Sequence, residues 1–381
     1  MRHEWDMALA TGGAEALETL ATRPFDVVVS DMRMPGMDGV ELLGQVRTRY
    51  PHIVRIALSG QATKGTVVRS VGLVHQYLAK PCESETLKAV VDRICKLRGL
   101  VENAELRSLL SGMTSLPSLP SLRAGLTEQV QSPDASMDDI ARTISLDLSM
   151  SARALQLTSS AFFARPVHVP RPEKATVFLG HDIVQALMLS ENAFSEFSQA
   201  AIEGMSLGPL WRHGKMVGDC AEAIARAEGC GQHVADQALM AGLLHDIGKV
   251  ALAAELPDRY APILAVSSDD PATLAEAERR EFGASHAEVG AYLMGLWGLP
   301  EPVVEAIALH HAPGQHAAGG FTLVTATHVA NALVGRDGTV DDTSAAAGLD
   351  EACLAGLGLA ARLPVWREAC RTAVEMEMAN V

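Results

Sequence analysis

The hydrophobic pattern along the chain changes character once. Residues 25–30 (Phe-Asp-Val-Val-Val-Ser) form a short β-branched run that suits a strand buried on both faces. Residues 53–58 (Ile-Val-Arg-Ile-Ala-Leu) and 75–79 (His-Gln-Tyr-Leu-Ala) are two further candidates. Helical stretches at 13–21 and 38–50, and a weaker one near 64–71, fall between them. Strands alternating with helices at this spacing predict a parallel sheet. From Glu83 the period becomes helical: Leu87, Val90, Val91, Ile94, Leu97, Val101, Leu106, Leu109 and Leu110 recur at steps of three or four. This predicts one extended connector with a break at Gly99. It packs as a terminal helix on the sheet or, read as heptads, pairs with a second copy of the chain.

Residues 112–122 (Gly-Met-Thr-Ser-Leu-Pro-Ser-Leu-Pro-Ser-Leu) stop the helix and mark a domain boundary. Breaks follow at Pro133–Ala135 and Pro166–Pro172, and 314–320 reads as a loop. Beyond residue 112 the rest reads as helix. The fold class is therefore α/β plus all-α, an incomplete doubly wound parallel sheet followed by a helical bundle. The units are residues 1–97, an overlapping connector at 83–112, a bundle at 113–312 and a helical extension at 313–381.

Composition narrows the function. Among 381 residues, 48% are apolar and only 4% aromatic, which fits a large helical core. The net charge of −15 is uneven: residues 1–100 carry 13 Lys/Arg against 11 Asp/Glu, and the remainder 18 against 35. So acidic a body repels polyanions, so direct nucleic-acid or anionic-membrane binding is not expected. No apolar run is long enough to span a bilayer, the first residues lack a signal core, and six cysteines without a C-x-x-C pair read as buried thiols in a reducing cytoplasm.

Chemistry gathers at two places. Asp31 follows the first strand, Ser59 the second, and Lys80, before Pro81, the third. In a doubly wound sheet these carboxyl ends collect ligand chemistry. An acid to attack phosphorus, an ammonium to offset oxyanion charge and a hydroxyl to sense the bound group make a phosphoryl site. The segments Val-Val-Val-Ser-Asp31-Met-Arg-Met-Pro35-Gly-Met-Asp-Gly39, Leu-Ser59-Gly and Leu-Ala-Lys80-Pro81 resemble the flavodoxin-like receiver domain of bacterial two-component response regulators. The resemblance implies Asp31 as phosphoacceptor, Ser59, Lys80 and the switch residue Tyr77 around it, and a sensor histidine kinase as partner. The family also opens with a strand whose acidic pair holds Mg²⁺. Asp31 lies much nearer the start than that pattern places it. The strand, its acids and the following helix are expected to be missing, from a misassigned start codon or a degenerate receiver. Glu4 and Asp6 are poor substitutes, so Mg²⁺ for receiver phosphorylation lacks its ligands.

The second place is helical. An apolar run delivers His245-Asp246 within Ala-Leu-Met-Ala-Gly-Leu-Leu-His-Asp-Ile-Gly-Lys249, a costly burial unless the pair is coordinated or hydrogen-bonded. His213, His286, His310 and His311 stand at helix-compatible places, and imidazole with carboxylate suits Fe, Mn or Zn. The order His, His-Asp, His, His-His resembles the HD superfamily of metal-dependent phosphohydrolases. More closely it resembles the HDOD domain, through Leu-Pro117-Ser-Leu-Pro120, the segment Leu-Asp-Leu-Ser-Met-Ser-Ala-Arg153 through Ser-Ser-Ala-Phe162-Phe163, Leu-Gly180, Glu281-Phe-Gly-Ala-Ser-His286 and Leu-Trp297-Gly-Leu-Pro300. That resemblance implies a non-enzymatic signalling module that contacts downstream signalling proteins. The alternative is a phosphohydrolase acting on a cyclic dinucleotide such as cyclic di-GMP, as the HD-GYP relatives do. In that case Lys249 contacts phosphate; otherwise it is a surface charge. Gly-Tyr-Pro is absent, Pro209 stands where some relatives have a ligand Glu, and Asn331, beside His328, stands where they have a metal-binding Asp.

Overall fold

The structure is a computed structural model. It describes residues 5–60, 70, 72–118, 120–132, 135–159, 169–189, 195–196, 207–266, 271–317, 319–335, 339–340 and 348–379. Three strands, β1 (Val27–Asp31), β2 (Val54–Ser59) and β3 (Gln76–Ala79), form a parallel sheet in the order β1-β2-β3. The register pairs Asp31 with Leu58 and Ser59 with Ala79, so the three carboxyl ends lie side by side. The helices Gly13–Thr22 and Gly39–Arg49 match the expected stretches within a residue or so. The expected helix near 64–71 and residue Glu4 fall outside the described residues, apart from Ser70. Asp6 forms an exposed ion pair with Arg23.

The connector is not a single rod. It divides into a helix Ser84–Leu97, a 3₁₀ turn Arg98–Leu100 at the expected break, and a helix Ala104–Gly112 whose first amides are capped by the Asn103 side chain. Ile94, Leu97, Leu106 and Leu110, the residues a paired coil would share with a second copy, are buried in the chain's own core. Leu97 lies over Gly295, where an added Cβ would come within 2.5 Å of its side chain.

Beyond residue 113 the described structure is almost entirely helical, as the period predicts. An exception is a two-stranded parallel pairing of Pro117–Ser118 with Ser195–Glu196, too short to leave a pattern in the sequence. The boundary at 112–122 is a change of architecture but not a gap in packing. One hydrophobic cluster runs from Met32 in the sheet module to Val374 near the C-terminus. Thr114 donates to the Gly72 carbonyl at 2.6 Å and so ties the boundary segment back to the sheet. The Phe162-Phe163 segment lies outside the described residues. In the helix Leu363–Ala379, Trp366, Cys370 and Val374 are buried. Of the cysteines, Cys220 and Cys370 are fully buried, Cys82, Cys230 and Cys353 are partly buried and Cys95 is exposed, so the reading of all six as buried thiols holds only for the first two. Among the described residues no helix is long and apolar enough to cross a membrane.

Candidate functional site

At the sheet's carboxyl edge, Asp31 Oδ2 meets Lys80 Nζ at 2.5 Å, with both side chains a little over one-third exposed. Asp31 Oδ1 accepts from the Arg33 amide at 3.1 Å. Partial burial works against ionisation of Asp31, but the Lys80 ammonium and that amide outweigh it and set its pKa below the ordinary value. The turn is held locally: Asp38 caps the helix Gly39–Arg49, and Gly39 sits so close to the Asp31 carbonyl that an added Cβ would lie 2.1 Å from it. Ser59, buried at the end of β2, accepts the Lys80 amide at its carbonyl at 2.7 Å. Tyr77 is buried, and its hydroxyl lies 2.9 Å from Ser70 Oγ. The structure thus gathers Asp31, Ser59 and Lys80 at one edge and buries Tyr77 in β3, whose neighbouring Gln76 meets the helical module.

The contact with that module involves polar residues to which the sequence gives no role. Arg55 is fully buried, with no carboxylate partner among the described residues; its guanidinium donates to the carbonyls of Leu73, Ile53 and Pro51 at 2.7, 2.8 and 3.2 Å. Burial pushes its pKa down to about 9. His75 Nδ1 accepts from the Arg55 amide at 2.9 Å, so Nε2 carries the proton and donates to the Ser111 carbonyl at 2.9 Å. Ser111 Oγ lies 2.7 Å from the Tyr292 hydroxyl. Gln156 donates to the His75 carbonyl at 3.1 Å, and Arg153, marked in the sequence only as a landmark, donates to Gln156 and to the Thr114 carbonyl. Gln76 Nε2 donates to the carbonyls of Gly295 and Leu296 at 3.2 and 2.9 Å, and Arg93 to that of Leu299 at 2.9 Å. The Gly295 and Leu296 carbonyls end the helix His286–Leu296, so Gln76 caps a helix of the bundle, while Arg93 holds the Leu299 carbonyl in the segment that follows.

The other end of that helix reaches the histidine cluster. All six residues singled out there come together. Ligand atoms of Asp246, His286, His310 and His311 lie within 4.8 Å of one another, and those of His213, His245 and Asp246 form a second group under the same limit. His245 and His310 each donate from Nδ1 to a carbonyl one turn back, Gly242 and Ile307, at 2.7 Å. Burial drives both rings toward the neutral form, His245 to about 4, so their Nε2 atoms carry lone pairs. Burial likewise takes His311 down to about 2. Asp246 Oδ1 lies 3.3 Å from His286 Nε2 and 3.9 Å from His310 Nε2, and Oδ2 3.5 Å from His245 Nε2. Burial disfavours the Asp246 carboxylate, but His245 and Lys249 overcome this and hold its pKa well below the usual range.

Among the described residues, the buried atoms His245 Nε2, His310 Nε2 and Asp246 Oδ1 have no hydrogen-bond partner. Acceptors facing acceptors in a dry interior repel unless a cation lies between them. This donor set, imidazoles and one carboxylate, fits Fe, Mn or Zn. Lys249 is not a surface charge: its ammonium sits 2.7 Å from Asp246 Oδ2 and is mostly buried. His213 Nε2 lies 2.9 Å from Asn331 Oδ1. His328 spends both nitrogens on the backbone, at the His310 carbonyl and the Asp350 amide, and is structural.

Glu278 and Tyr260 escape a reading of the sequence. Glu278 Oε2 accepts from His286 Nδ1 at 2.6 Å and the His286 amide at 2.7 Å; Oε1 accepts from the Tyr260 hydroxyl at 2.6 Å. Burial opposes the charge, and the His286 ring and the Tyr260 hydroxyl overcome it, so the Glu278 pKa lies below the ordinary value. In sequence Glu278 is one of several glutamates in Ala-Glu-Ala-Glu-Arg-Arg-Glu; only the inward helical position sets it apart.

Comparison with known proteins assigns both parts of the chain to domain families. The HDOD domain family matches residues 116–313, and the response regulator receiver domain matches residues 2–92. A protein of uncharacterised function from Treponema pallidum is 28% identical over 211 residues, 54% of this chain and 39% of its own. The response regulator protein FleR of Pseudomonas aeruginosa is 43% identical over 90 residues, 22% of this chain and 18% of its own. The MmoQ response regulator of Methylococcus capsulatus has a crystal structure similar over 65% of this chain and 97% of that one, at 24% identity and a TM-score of 0.45. The chain spans about two-fifths or less of the length of the curated relatives it matches first. The chain belongs to the HDOD family and joins that domain to a receiver domain, an arrangement of two-component response-regulator signalling.

Proposed function

We propose that phosphorylation of Asp31 by a sensor histidine kinase controls how the HDOD domain is presented to downstream signalling proteins. The observation that carries this reading is the helix His286–Leu296: it begins at the histidine cluster and ends under Gln76 of the receiver module, with Arg93 on the Leu299 carbonyl just beyond it. Its 11 residues span about 16 Å. A phosphoryl group on Asp31 would compete for the Lys80 ammonium and draw on Ser59. Movement in β3 at Tyr77 is adjacent to Gln76, so a shift there alters the cap on that helix. Acetyl-phosphate labelling tests the first step. The wild type is expected to take up label and Asp31→Asn none; equal labelling of both would refute the assignment.

A second reading is favoured by the unpartnered acceptors around Asp246: the cluster takes a divalent cation, and the domain hydrolyses a phosphodiester such as a cyclic dinucleotide. His286, His310, His311 and Asp246 would hold the ion, with His245 and His213 beside them. When bound, such an ion activates water and polarises a phosphoryl oxygen. Lys249 holds Asp246 Oδ2 and leaves Oδ1 to the cluster. Metal analysis separates cation binding from its absence: stoichiometric Fe, Mn or Zn in the wild type, lost in His245→Ala, supports it. Catalysis requires turnover of cyclic di-GMP in addition, and metal without turnover leaves a structural ion in a signalling module.

A further inference from the structure

We propose that Glu278, oriented by Tyr260, is the positioning residue that makes His286 a metal ligand. The inference rests on the reading that the cluster takes a divalent cation. Three of the clustered histidines can be compared. His245 and His310 are aimed by neutral carbonyls of their own helices, at 2.7 Å each. His286 is aimed by a carboxylate from another helix, Pro271–Phe282, at 2.6 Å. A carboxylate on Nδ1 fixes the proton on that nitrogen, turns Nε2 inward as a lone pair and makes the imidazole a stronger donor. Here Nε2 faces Asp246 Oδ1 at 3.3 Å and His311 Nε2 at 3.0 Å.

The surroundings of Glu278 fit that task better than a packing role. The residue is fully buried, and among the described residues no Lys or Arg is bonded to its carboxylate; its bonds there come from the His286 ring and amide and from the Tyr260 hydroxyl. A buried carboxylate without a basic partner is costly, and an apolar side chain would fill the space with less penalty. Tyr260 is itself fully buried, and its hydroxyl fixes Oε1 so that Oε2 faces the ring. The result is a chain from tyrosine to carboxylate to imidazole, ending at the centre of the cluster.

The test uses the full chain, stripped of metal by a chelator and titrated with Mn²⁺, with Co²⁺ as a spectroscopic probe. Glu278→Gln keeps the volume and can still accept the His286 amide, but loses the charge. It is expected to bind Mn²⁺ about 10–100-fold more weakly than wild type and to change the visible Co²⁺ spectrum. The far-UV circular dichroism of the metal-free protein should stay unchanged, and Glu278→Asp should recover part of the affinity. Tyr260→Phe should shift affinity in the same direction by less. Wild-type affinity and spectrum in Glu278→Gln would overturn the positioning role. If that variant does not fold, wild-type affinity in Tyr260→Phe overturns it equally. A wild-type protein that binds none of Mn²⁺, Fe²⁺ or Zn²⁺ would instead overturn the cation reading on which the inference rests.

Discussion

His245 is fully buried, donates one proton to the Gly242 carbonyl and has a pKa lowered from 6.5 to about 4. In the unfolded chain the same imidazole titrates near 6.5. Between these values the unfolded state binds the extra proton, so stability rises with pH in that window and falls as the solution is acidified through it. For His245 alone the loss reaches about 2 kcal/mol by pH 5. Metal-free protein should therefore unfold at lower urea at pH 5 than at pH 7, and His245→Gln should narrow that difference. An equal pH effect in both proteins would show that the ring is protonated when folded. At this scale the sequence exposed residue types and not their bonding. It marked every histidine of the cluster: His245 because an apolar helix makes it conspicuous, and the others because their order resembles that of a known family. It could not show which ring nitrogen is spent on a backbone carbonyl, nor that His328 is structural. Glu278 stayed hidden for the same reason, since helical phase and not residue type distinguishes it from Glu276 and Glu281.

Helices meet at glycines where a side chain would keep the centre from closing. Gly248 follows Asp246 by two residues, and a Cβ there would lie 1.9 Å from the His286 carbonyl. The helices Ile247–Glu255 and His286–Leu296 therefore touch backbone to backbone, and this approach brings Asp246 and His286 within reach of each other. Gly248→Ala would gain about 1 kcal/mol of helix propensity and lose about 3 kcal/mol or more to the clash. A net loss of about 2 kcal/mol is expected in urea unfolding, together with weaker Mn²⁺ binding; an unchanged midpoint would show that the helices can part without cost. The strands and most helices were legible because their apolar periods are local. The connector was legible in its break at Gly99 but not in its packing, since heptad-like spacing serves a second copy of the chain and the chain's own bundle equally well. Gly295, on which Leu97 lies, is what decides for the bundle, and it stands almost two hundred residues away in the sequence.

The two modules differ in architecture, charge and period, which invites a picture of beads on a string. Their packing contradicts that picture. The hydrophobic cluster is continuous from the sheet through the connector to the final helix, and buried polar bonds cross the same boundary: Thr114 to Gly72, His75 to Ser111, Gln76 to Gly295 and Leu296. Each buried bond left without its partner costs about 1–3 kcal/mol, so separating the modules costs several such penalties in addition to the apolar surface exposed. Neither module can then melt without destabilising the other. Thermal unfolding of a Trp5→Phe variant, followed by far-UV circular dichroism and by tryptophan fluorescence, should give one coincident transition, the remaining probes Trp211, Trp297 and Trp366 all lying in the helical module. Gln76→Ala, made in β3 of the receiver, should lower that transition for both probes alike. Two separated transitions, or a Gln76→Ala effect absent from tryptophan fluorescence, would mean that the modules fold independently. The helix His286–Leu296 would then have no means of carrying a signal from the receiver to the histidine cluster.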